Sequence, residues 1–179
     1  MFTDIVGFTD LMSNDESKAL ITLQKKITTV QSEISNCSGV YVKDIGDGTL
    51  SYFDSATKAV DCAIKIQKSL QNKISVRIGI HLGEIIHKDG DIFGDSVNIA
   101  NRIEKISEPG GVCISSSIFD QLKNKKKYKF KHLGLHSFKG VGKLLDIYGF
   151  KTSESVGQDN QSFEIINQYS SNRLPSLLL

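Results

Sequence analysis

Two apolar repeats with the period of an α-helix flank a hairpin-like segment in the N-terminal half of the chain. The first repeat follows Ser13 and Glu16, which have the spacing of a capping box, and it ends at Gly39. Between the repeats, two strand-like runs meet at Asp47-Gly48, a dipeptide typical of tight hairpin turns. The apolar positions of the repeats are Leu20, Leu23, Ile27, Val30 and Ile34 in the first, and Ala56, Ala59, Val60, Ala63, Ile66 and Leu70 in the second.

Strand-like runs also open and close this half of the chain. Residues 1–6 predict a first strand that ends at Gly7, and residues 74–87 predict a pair of strands around Gly83. Strand, helix, hairpin, helix and strand in this order give the βαββαβ arrangement of a ferredoxin-like core. We therefore predict an α+β fold with such a core, followed by helices over 95–107 and 117–123 and by strands over 112–115, 128–133 and 145–150.

Size and composition limit the number of domains and the classes of partner. The 179 residues suffice for one domain with one hydrophobic core. A net charge of +2 produces no strong field towards nucleic acid or a membrane, and no apolar run reaches the roughly 20 residues of a membrane span. Three cysteines without a C-x-x-C pair are typical of buried thiols in a reducing compartment, so we expect a cytoplasmic protein. The polar composition beyond residue 150 predicts a domain over 1–150 and a flexible tail or linker over 151–179.

Asp4 and Asp47 are candidate metal ligands. Asp4 lies near the end of the first predicted strand and Asp47 lies in the hairpin turn. In a ferredoxin-like core this strand and this hairpin are neighbours in the sheet, so both carboxylates can converge at one edge. Two carboxylates with water or phosphate oxygens suit Mg²⁺ or Mn²⁺. The alternative is that Asp4 caps a strand end and Asp47 is an ordinary turn residue.

Two further patterns are compatible with phosphate binding. Gly7, Phe8 and Thr9 follow the first strand, at a turn whose backbone N–H groups can bind phosphate oxygens, although any tight strand-to-helix turn favours a glycine. Asn98 and Arg102 lie four residues apart and share one face of the predicted helix, which suits the recognition of an anion. A solvated helix face with an ordinary surface arginine is the alternative.

Five motifs in a consistent order carry a family resemblance. They are Phe2–Thr9 (FTDIVGFT), Lys43–Gly48 (KDIGDG), Arg77–Gly83 (RIGIHLG), Gly94–Arg102 (GDSVNIANR) and Phe138–Gly140 (FKG). Over residues 1 to 150 the sequence resembles the catalytic domain of class III adenylate/guanylate cyclases, in a compact bacterial form. The resemblance implies the nucleotide cyclase fold, in which a ferredoxin-like core carries extra C-terminal strands and helices.

The resemblance also implies a reaction and its machinery. ATP would be converted to cyclic AMP and pyrophosphate with two Mg²⁺ or Mn²⁺ ions per site, by in-line attack of the ribose 3′-oxygen. Asp4 and Asp47 would bind these ions with help from the carbonyl of Ile5. Arg102 would stabilise the α-phosphate in the transition state, and Lys139 would hold the terminal phosphates.

The same resemblance assigns Lys43 and Asp91 to the purine and Asn98 to the ribose. An ammonium suits the N1 acceptor of adenine and a carboxylate suits its exocyclic amine, whereas guanine reverses both polarities, so we expect ATP as the substrate. In the family, the metal-binding and the purine-binding residues of one site come from different subunits. A chain that carries both sets implies a homodimer with two composite sites. Regulatory or repeat domains would lie outside this chain.

Two other functions are compatible with the same topology. A non-catalytic nucleotide-sensing or regulatory module would be expected to lack a metal-binding Asp, the Asn or the Arg, and this sequence retains all of them. An RNA-binding module would carry aromatic residues on its central strands, where this chain has Asp4, Lys43 and Asp47. Turnover of ATP distinguishes the enzyme from the sensing module.

Overall fold

The structure, a computed structural model, describes residues 1–151. The predicted tail over 151–179 lies outside the described residues except for Lys151, which ends the last strand. Within residues 1–151 no helix is both long and apolar enough to cross a bilayer. In chain order the elements are β1 (Phe2–Ile5), α1 (Phe8–Asn14), α2 (Glu16–Asn36), β2 (Val40–Ile45), β3 (Gly48–Tyr52), α3 (Ala56–Leu70), β4 (Val76–Ile80), β5 (Ile86–Lys88), β6 (Asp91–Phe93), α4 (Asp95–Ile106), β7 (Gly111–Ser115), α5 (Ser116–Leu122), β8 (Lys131–His136) and β9 (Leu145–Lys151).

Seven of the strands form one mixed sheet in the order β2-β3-β1-β4-β7-β9-β8, and β5 and β6 form a separate hairpin. The strands β2, β3, β1 and β4 pair with one another in antiparallel fashion. The position of β1 between β3 and β4 is that of the ferredoxin-like arrangement. β4 then pairs in parallel with β7, and β9 and β8 continue the sheet in antiparallel fashion. The predicted fold class is confirmed.

Helices cover both faces of the sheet. On one face α2, α3 and α5 bury the apolar side chains of β1, β4 and β7, including Ile78. On the other face, α4 and the β5–β6 hairpin pack against Phe2 and its neighbours. Successive residues of β4 face the two helical layers in turn, and Gly79 faces α4 and lies directly against it. A side chain at Gly79 would overlap the backbone of Ala100 and Glu104, so this glycine permits the close helix–strand contact.

The first apolar repeat lies within α2, a separate helix α1 precedes it, and the predicted capping box between Ser13 and Glu16 is wrong. The side chain of Asp15 accepts a hydrogen bond from the N–H of Lys18 at 2.9 Å and caps α2. Ser13 lies inside α1, where its Oγ donates to the carbonyl of Thr9. Asp15 replaces the predicted cap because the chain leaves the first helix and enters the second at that residue.

The predicted strand pair around Gly83 is also wrong. β5 pairs with β6 rather than with β4, across a turn in which Asp89 and Gly90 have φ values of 52° and 78°. β4 already pairs with β1 on one edge and with β7 on the other. No edge of β4 is therefore open to a returning strand, and the residues after Gly83 form their own hairpin over α4.

The turn of the first hairpin is shifted by one residue from the prediction. Ile45 pairs with Gly48, so the turn residues are Gly46 and Asp47. Gly46 adopts a φ of 63°, a left-handed conformation that favours glycine at this position of a two-residue hairpin loop. Asp47 still lies in the turn, as predicted.

The strand predicted over 128–133 begins later, at Lys131. The preceding segment is held away from the sheet edge by α3, because Lys127 and Tyr128 both donate hydrogen bonds to Asp61 of that helix. Phe130 packs edge to face against Phe119 of α5 at a ring-centroid distance of 5.7 Å. These side-chain contacts, rather than strand pairing, fix the conformation of residues 127–130.

Candidate active site

Asp4 and Asp47 lie together where β1 meets the β2–β3 hairpin. Pairing of β1 with β3 brings the hairpin turn beside the end of β1, and Oδ2 of Asp47 accepts a hydrogen bond from the N–H of Ile5 at 3.1 Å. Burial raises the pKa of the Asp47 carboxyl, and the adjacent Asp4 raises it further, as occurs when two carboxyl groups share a site. The structure thus brings these predicted site residues together.

The donor chemistry of this pair fits a divalent cation. Two half-buried carboxylates at one edge are hard-oxygen ligands of the kind that Mg²⁺ and Mn²⁺ prefer. No group of three or more His, Cys, Asp or Glu side chains suited to a metal occurs in residues 1–151. Further oxygen ligands would therefore have to come from the main chain, from water or from a bound phosphate.

Arg77 on β4 connects Asp4 to α4. Its Nη2 donates a 2.6 Å hydrogen bond to Oδ2 of Asp4, and its Nε lies 2.9 Å from Oε1 of Glu104. This second contact is an ion pair by distance, although the N–H of Nε does not point at the carboxylate. The Glu104 side chain is only 4% exposed, and burial raises its pKa to about 7 even though Arg77 lowers it.

Lys43 on β2 and Asp91 at the start of β6 form an ion pair on the surface. The side chains are 43% and 23% exposed, so both can reach a ligand from solvent. Asp91 also accepts a hydrogen bond from the N–H of Ile92 at 2.8 Å. The bond from Lys43 and this backbone N–H hold the pKa of Asp91 below its ordinary range. The two residues present a donor and an acceptor side by side.

Asn98 and Arg102 lie one turn apart on α4, where Asn98 is exposed and Arg102 is half-buried. Within residues 1–151 neither side chain makes a hydrogen bond or an ion pair. Glu104 of the same helix points towards Arg77 and hence towards β1. Residues two apart on a helix differ by about 200° in direction, so Arg102 points away from Asp4 of its own chain.

The remaining predicted phosphate ligands lie at two separate places. Gly7 has a φ of 71° and precedes α1, Phe8 packs partly into the core and Thr9 is exposed. Lys139 is exposed in the loop between β8 and β9, where the adjacent Phe138 packs against apolar residues of α4. In the described part of the chain, no hydrogen bond or ion pair joins Lys139 to the other predicted site residues.

Comparison with known protein families agrees with this fold. The sequence model of the adenylate and guanylate cyclase catalytic domain matches residues 1–152. This chain belongs to the class III nucleotide cyclases. The family resemblance carried by the five motifs is therefore confirmed.

Solved structures of other cyclase domains share the fold. An adenylate/guanylate cyclase/hydrolase from Silicibacter pomeroyi is 34% identical, with a TM-score of 0.76 over 83% of this chain and 92% of that one. The adenylyl cyclase CyaB from P. aeruginosa is 25% identical, with a TM-score of 0.71 over 83% of this chain and 90% of that one. A Rhizobium meliloti protein named "Putative adenylate cyclase 3" is 34% identical over 155 residues, which make up 81% of this chain and 26% of that protein.

This cyclase domain corresponds to a part of its longer relatives. It spans between 26% and 33% of the length of the first curated relatives that it matches. Their names refer to those whole proteins, so what they act on is not transferred to this chain by similarity alone.

Three charged residues at the candidate site have no role in the sequence-based prediction: Lys26, Arg77 and Glu104. Lys26 on α2 is completely buried, and its ammonium donates a 2.8 Å hydrogen bond to the carbonyl of Asp47. The signal for Lys26 is its position four residues before Val30, on the apolar face of the helix. Arg77 lies in a recognised motif and Glu104 follows another, but only the sheet register places Arg77 beside Asp4, and only the packing of α4 on β4 brings Glu104 to it.

Proposed function

We propose that this domain is an adenylate cyclase that converts ATP to cyclic AMP and pyrophosphate. The observation that carries the proposal is that one chain holds a converged carboxylate pair, Asp4 and Asp47, together with a guanidinium, Arg102, that forms no ion pair within residues 1–151. These are the groups that in-line displacement at a phosphorus atom needs, because the reaction depends on positioning and on charge stabilisation.

The carboxylate pair supports a site for two Mg²⁺ or Mn²⁺ ions. Asp4 and Asp47 would hold them, with the main-chain carbonyl of Ile5 and the triphosphate as further oxygen ligands. When bound, the ions would lower the pKa of the ribose 3′-hydroxyl and neutralise charge on the leaving pyrophosphate. Backbone N–H groups of the turn at Gly7, Phe8 and Thr9 would donate hydrogen bonds to phosphate oxygens.

The other polar groups of the chain would bind the substrate and stabilise its transition state. Arg102 would meet the negative charge that grows at the α-phosphate, and Asn98, one turn away, would orient the ribose. Lys139 would bind the terminal phosphates, since its loop packs against the helix that carries these residues.

The pairing of Lys43 with Asp91 supports ATP over GTP. Adenine needs a donor opposite N1 and an acceptor opposite its amine, and these two side chains offer them side by side. A polar site rejects a base of reversed polarity because its own groups would be left unpaired. The bond from Lys43 also lowers the pKa of Asp91, which favours the ionised carboxylate, a group that only accepts hydrogen bonds.

The direction of Arg102 supports a homodimer with composite sites. Since Arg102 points away from Asp4 of its own chain, a single ligand that touches both requires a second copy. Large apolar side chains are exposed on the β5–β6 hairpin that carries Asp91, at Ile86 (67%) and Phe93 (49%), as is typical of a surface that a partner covers.

We also propose boundaries and a location for the domain. Residues 1–150 would form the catalytic domain and residues 151–179 a tail or linker to regulatory or repeat domains. A cytoplasmic site would supply ATP and would keep the free thiols of Cys37, Cys62 and Cys113 reduced.

The direct test incubates the purified chain with ATP and Mn²⁺ and quantifies cyclic AMP by mass spectrometry, at protein concentrations that favour dimers. Asp4→Asn and Asp47→Asn should each abolish both product formation and Mn²⁺ binding. Asp120→Asn removes a carboxylate from a surface ion pair on α5 and should leave both unchanged. ATP binding without cyclic AMP at high protein concentration would instead identify a nucleotide-sensing module.

A further inference from the structure

Lys26 is the only lysine or arginine among the fully buried residues of the described chain. It lies on the face of α2 that also buries Ala19, Val30 and Ile34, a position that an apolar residue would ordinarily occupy. Burying an ammonium is unfavourable, and burial lowers the pKa of Lys26 to about 8. A group kept at such a position needs a specific partner.

The partner is the turn that carries a candidate metal ligand. The ammonium of Lys26 donates to the carbonyl of Asp47 at 2.8 Å, and the N–H of Ile5 donates to the carboxylate of the same residue at 3.1 Å. Asp47 is thus held at two points, its main chain from the α2 side and its side chain from β1. The adjacent Gly46 is exposed and has no side chain that could restrain the turn.

We propose that Lys26 is a positioning residue that fixes the main chain of Asp47, and thereby the direction of its carboxylate, for divalent-cation binding. The role rests on the proposed function, because it assumes that Asp47 binds the cation together with Asp4. Groups that hold a metal ligand in place commonly change metal affinity by about 10-fold to 100-fold when they are removed.

An alternative role for Lys26 predicts the opposite change in metal affinity. Asp44, Asp47, Asp4 and Glu104 all lie near enough to stabilise its charge, so Lys26 could serve only to balance an acidic cluster. A buried cation near a metal site repels the metal ion, so removal of a purely balancing charge would strengthen metal binding. The direction of the change in affinity therefore separates positioning from charge balance.

The experiment compares Lys26→Met with Lys25→Met in the full chain. Methionine fills a similar volume without a charge or a donor, and Lys25 is the exposed neighbour on the same helix. Mn²⁺ binding is measured by electron paramagnetic resonance of the free ion in the presence of 3′-deoxy-ATP, which cannot cyclise because it lacks the attacking hydroxyl. We expect about tenfold weaker Mn²⁺ binding for Lys26→Met and none of this loss for Lys25→Met.

Hydrogen–deuterium exchange of the metal-free proteins tests the anchor without any ligand. The peptide that contains residues 45–48 should exchange faster in Lys26→Met than in the wild type, while peptides of α4 should not change. The thermal midpoint of the methionine variant should be lower than that of the wild type, since the Asp47 carbonyl loses its donor and the nearby carboxylates lose a cation. A structural role alone would leave Mn²⁺ affinity unchanged in a stably folded variant.

Unchanged or tighter Mn²⁺ binding by folded Lys26→Met overturns the proposal, and so does unchanged exchange over residues 45–48. Should the methionine variant fail to fold, Lys26→Gln takes its place, because its amide ends one bond short of the ammonium, and a loss of at least about threefold is expected. If the wild type itself binds no Mn²⁺, the proposed function fails, and the exchange measurement still decides whether Lys26 anchors the turn.

Discussion

Nη2 of Arg77 lies 2.6 Å from Oδ2 of Asp4, so one of the two candidate metal ligands already pairs with a cation of its own chain. The same guanidinium lies 2.9 Å from the almost fully buried carboxylate of Glu104 on α4. The Arg77 guanidinium thus compensates the charge of two carboxylates, Asp4 on β1 and Glu104 on α4. It also joins the strand that carries Asp4 to the helix that carries Arg102.

Arg77→Met should destabilise the fold. The variant leaves Glu104 buried without its counter-ion, and breaking a pair of this kind from one side costs about 2–3 kcal/mol when the pair is partly exposed, as here. Urea unfolding of the metal-free chain measures this loss. The double variant Arg77→Met/Glu104→Gln should regain part of it, because the buried charge is then absent. Equal stability of the single and double variants would contradict the pairing.

Glu104 should make the stability of the metal-free chain depend on pH. Burial raises its pKa from 4.5 to about 7, so between these values the folded chain holds a proton that the unfolded chain has released. This contribution to the free energy of unfolding is complete below pH 4.5 and is lost as the pH rises to about 7. Glu104→Gln stays neutral throughout, and its stability relative to the wild type should increase from about pH 5 to about pH 7.5 in urea titrations. A difference that does not vary with pH would mean that Glu104 titrates normally.

Gly79→Ala should displace α4 from β4. A Cβ at this position would overlap the backbone of two α4 residues, which cannot rotate away as a side chain would. We expect a loss of about 2 kcal/mol or more in the free energy of unfolding, as for other overpacked contacts. Gly142→Ala is the matched control because nothing lies within 4 Å of its added Cβ. Equal stability of the two variants would show that the helix–strand contact is loose.

Local signals predict much of this fold because they do not depend on distant partners. The apolar periodicity of α3 and α4 and the hairpin around Asp47 lie close to their predicted places. The predictions are wrong where a residue or strand elsewhere in the chain competes for the same contact. Asp15 rather than Ser13 caps α2 because Ser13 lies inside the additional helix α1. The strand after Gly83 cannot pair with β4 because both edges of β4 are already paired.

The site shows the same division between local and long-range information. Asp4 and Asp47 could be placed together because ferredoxin-like topology makes their elements neighbours. Leu20 belongs to the apolar repeat of α2 but is 50% exposed, whereas Lys26 is fully buried. Helical spacing alone favours burial of Leu20 over burial of Lys26. Only the hydrogen bond to the Asp47 turn, 21 residues away in sequence, explains why a lysine is buried there.

Lys43→Glu combined with Asp91→Cys should shift nucleotide preference from ATP towards GTP. The new carboxylate can accept from the guanine N1–H and amine, and the thiol no longer demands a donor from the base. We expect the ratio of kcat/KM for ATP to that for GTP to fall by about 100-fold or more. Lys88→Glu, a charge reversal on the adjacent exposed strand, is the control. An unchanged ratio in the double variant would show that these residues do not contact the purine.

Arg102→Ala should lower kcat far more than it raises KM. Its guanidinium would meet charge that appears mainly in the transition state, so the loss in kcat should be about 100-fold or more. The thermal midpoint should change little, since within residues 1–151 the side chain makes no hydrogen bond or ion pair. Steady-state kinetics with ATP measure both constants. An equal loss of kcat in Asn101→Ala, the neighbouring α4 residue, would point to damage of the helix instead.

Mixing two inactive variants tests whether the sites are composite. In a mixed dimer of Asp47→Asn with Arg102→Ala, one site carries both substitutions and the other carries neither. An equimolar mixture should therefore recover roughly one quarter of wild-type activity, since half of the dimers are mixed and each has one intact site. Asp47→Asn mixed with Asp4→Asn should recover nothing, because every site then lacks a carboxylate. If differently tagged subunits co-purify and the first mixture still makes no cyclic AMP, Arg102 and Asp47 do not act on one substrate across the dimer.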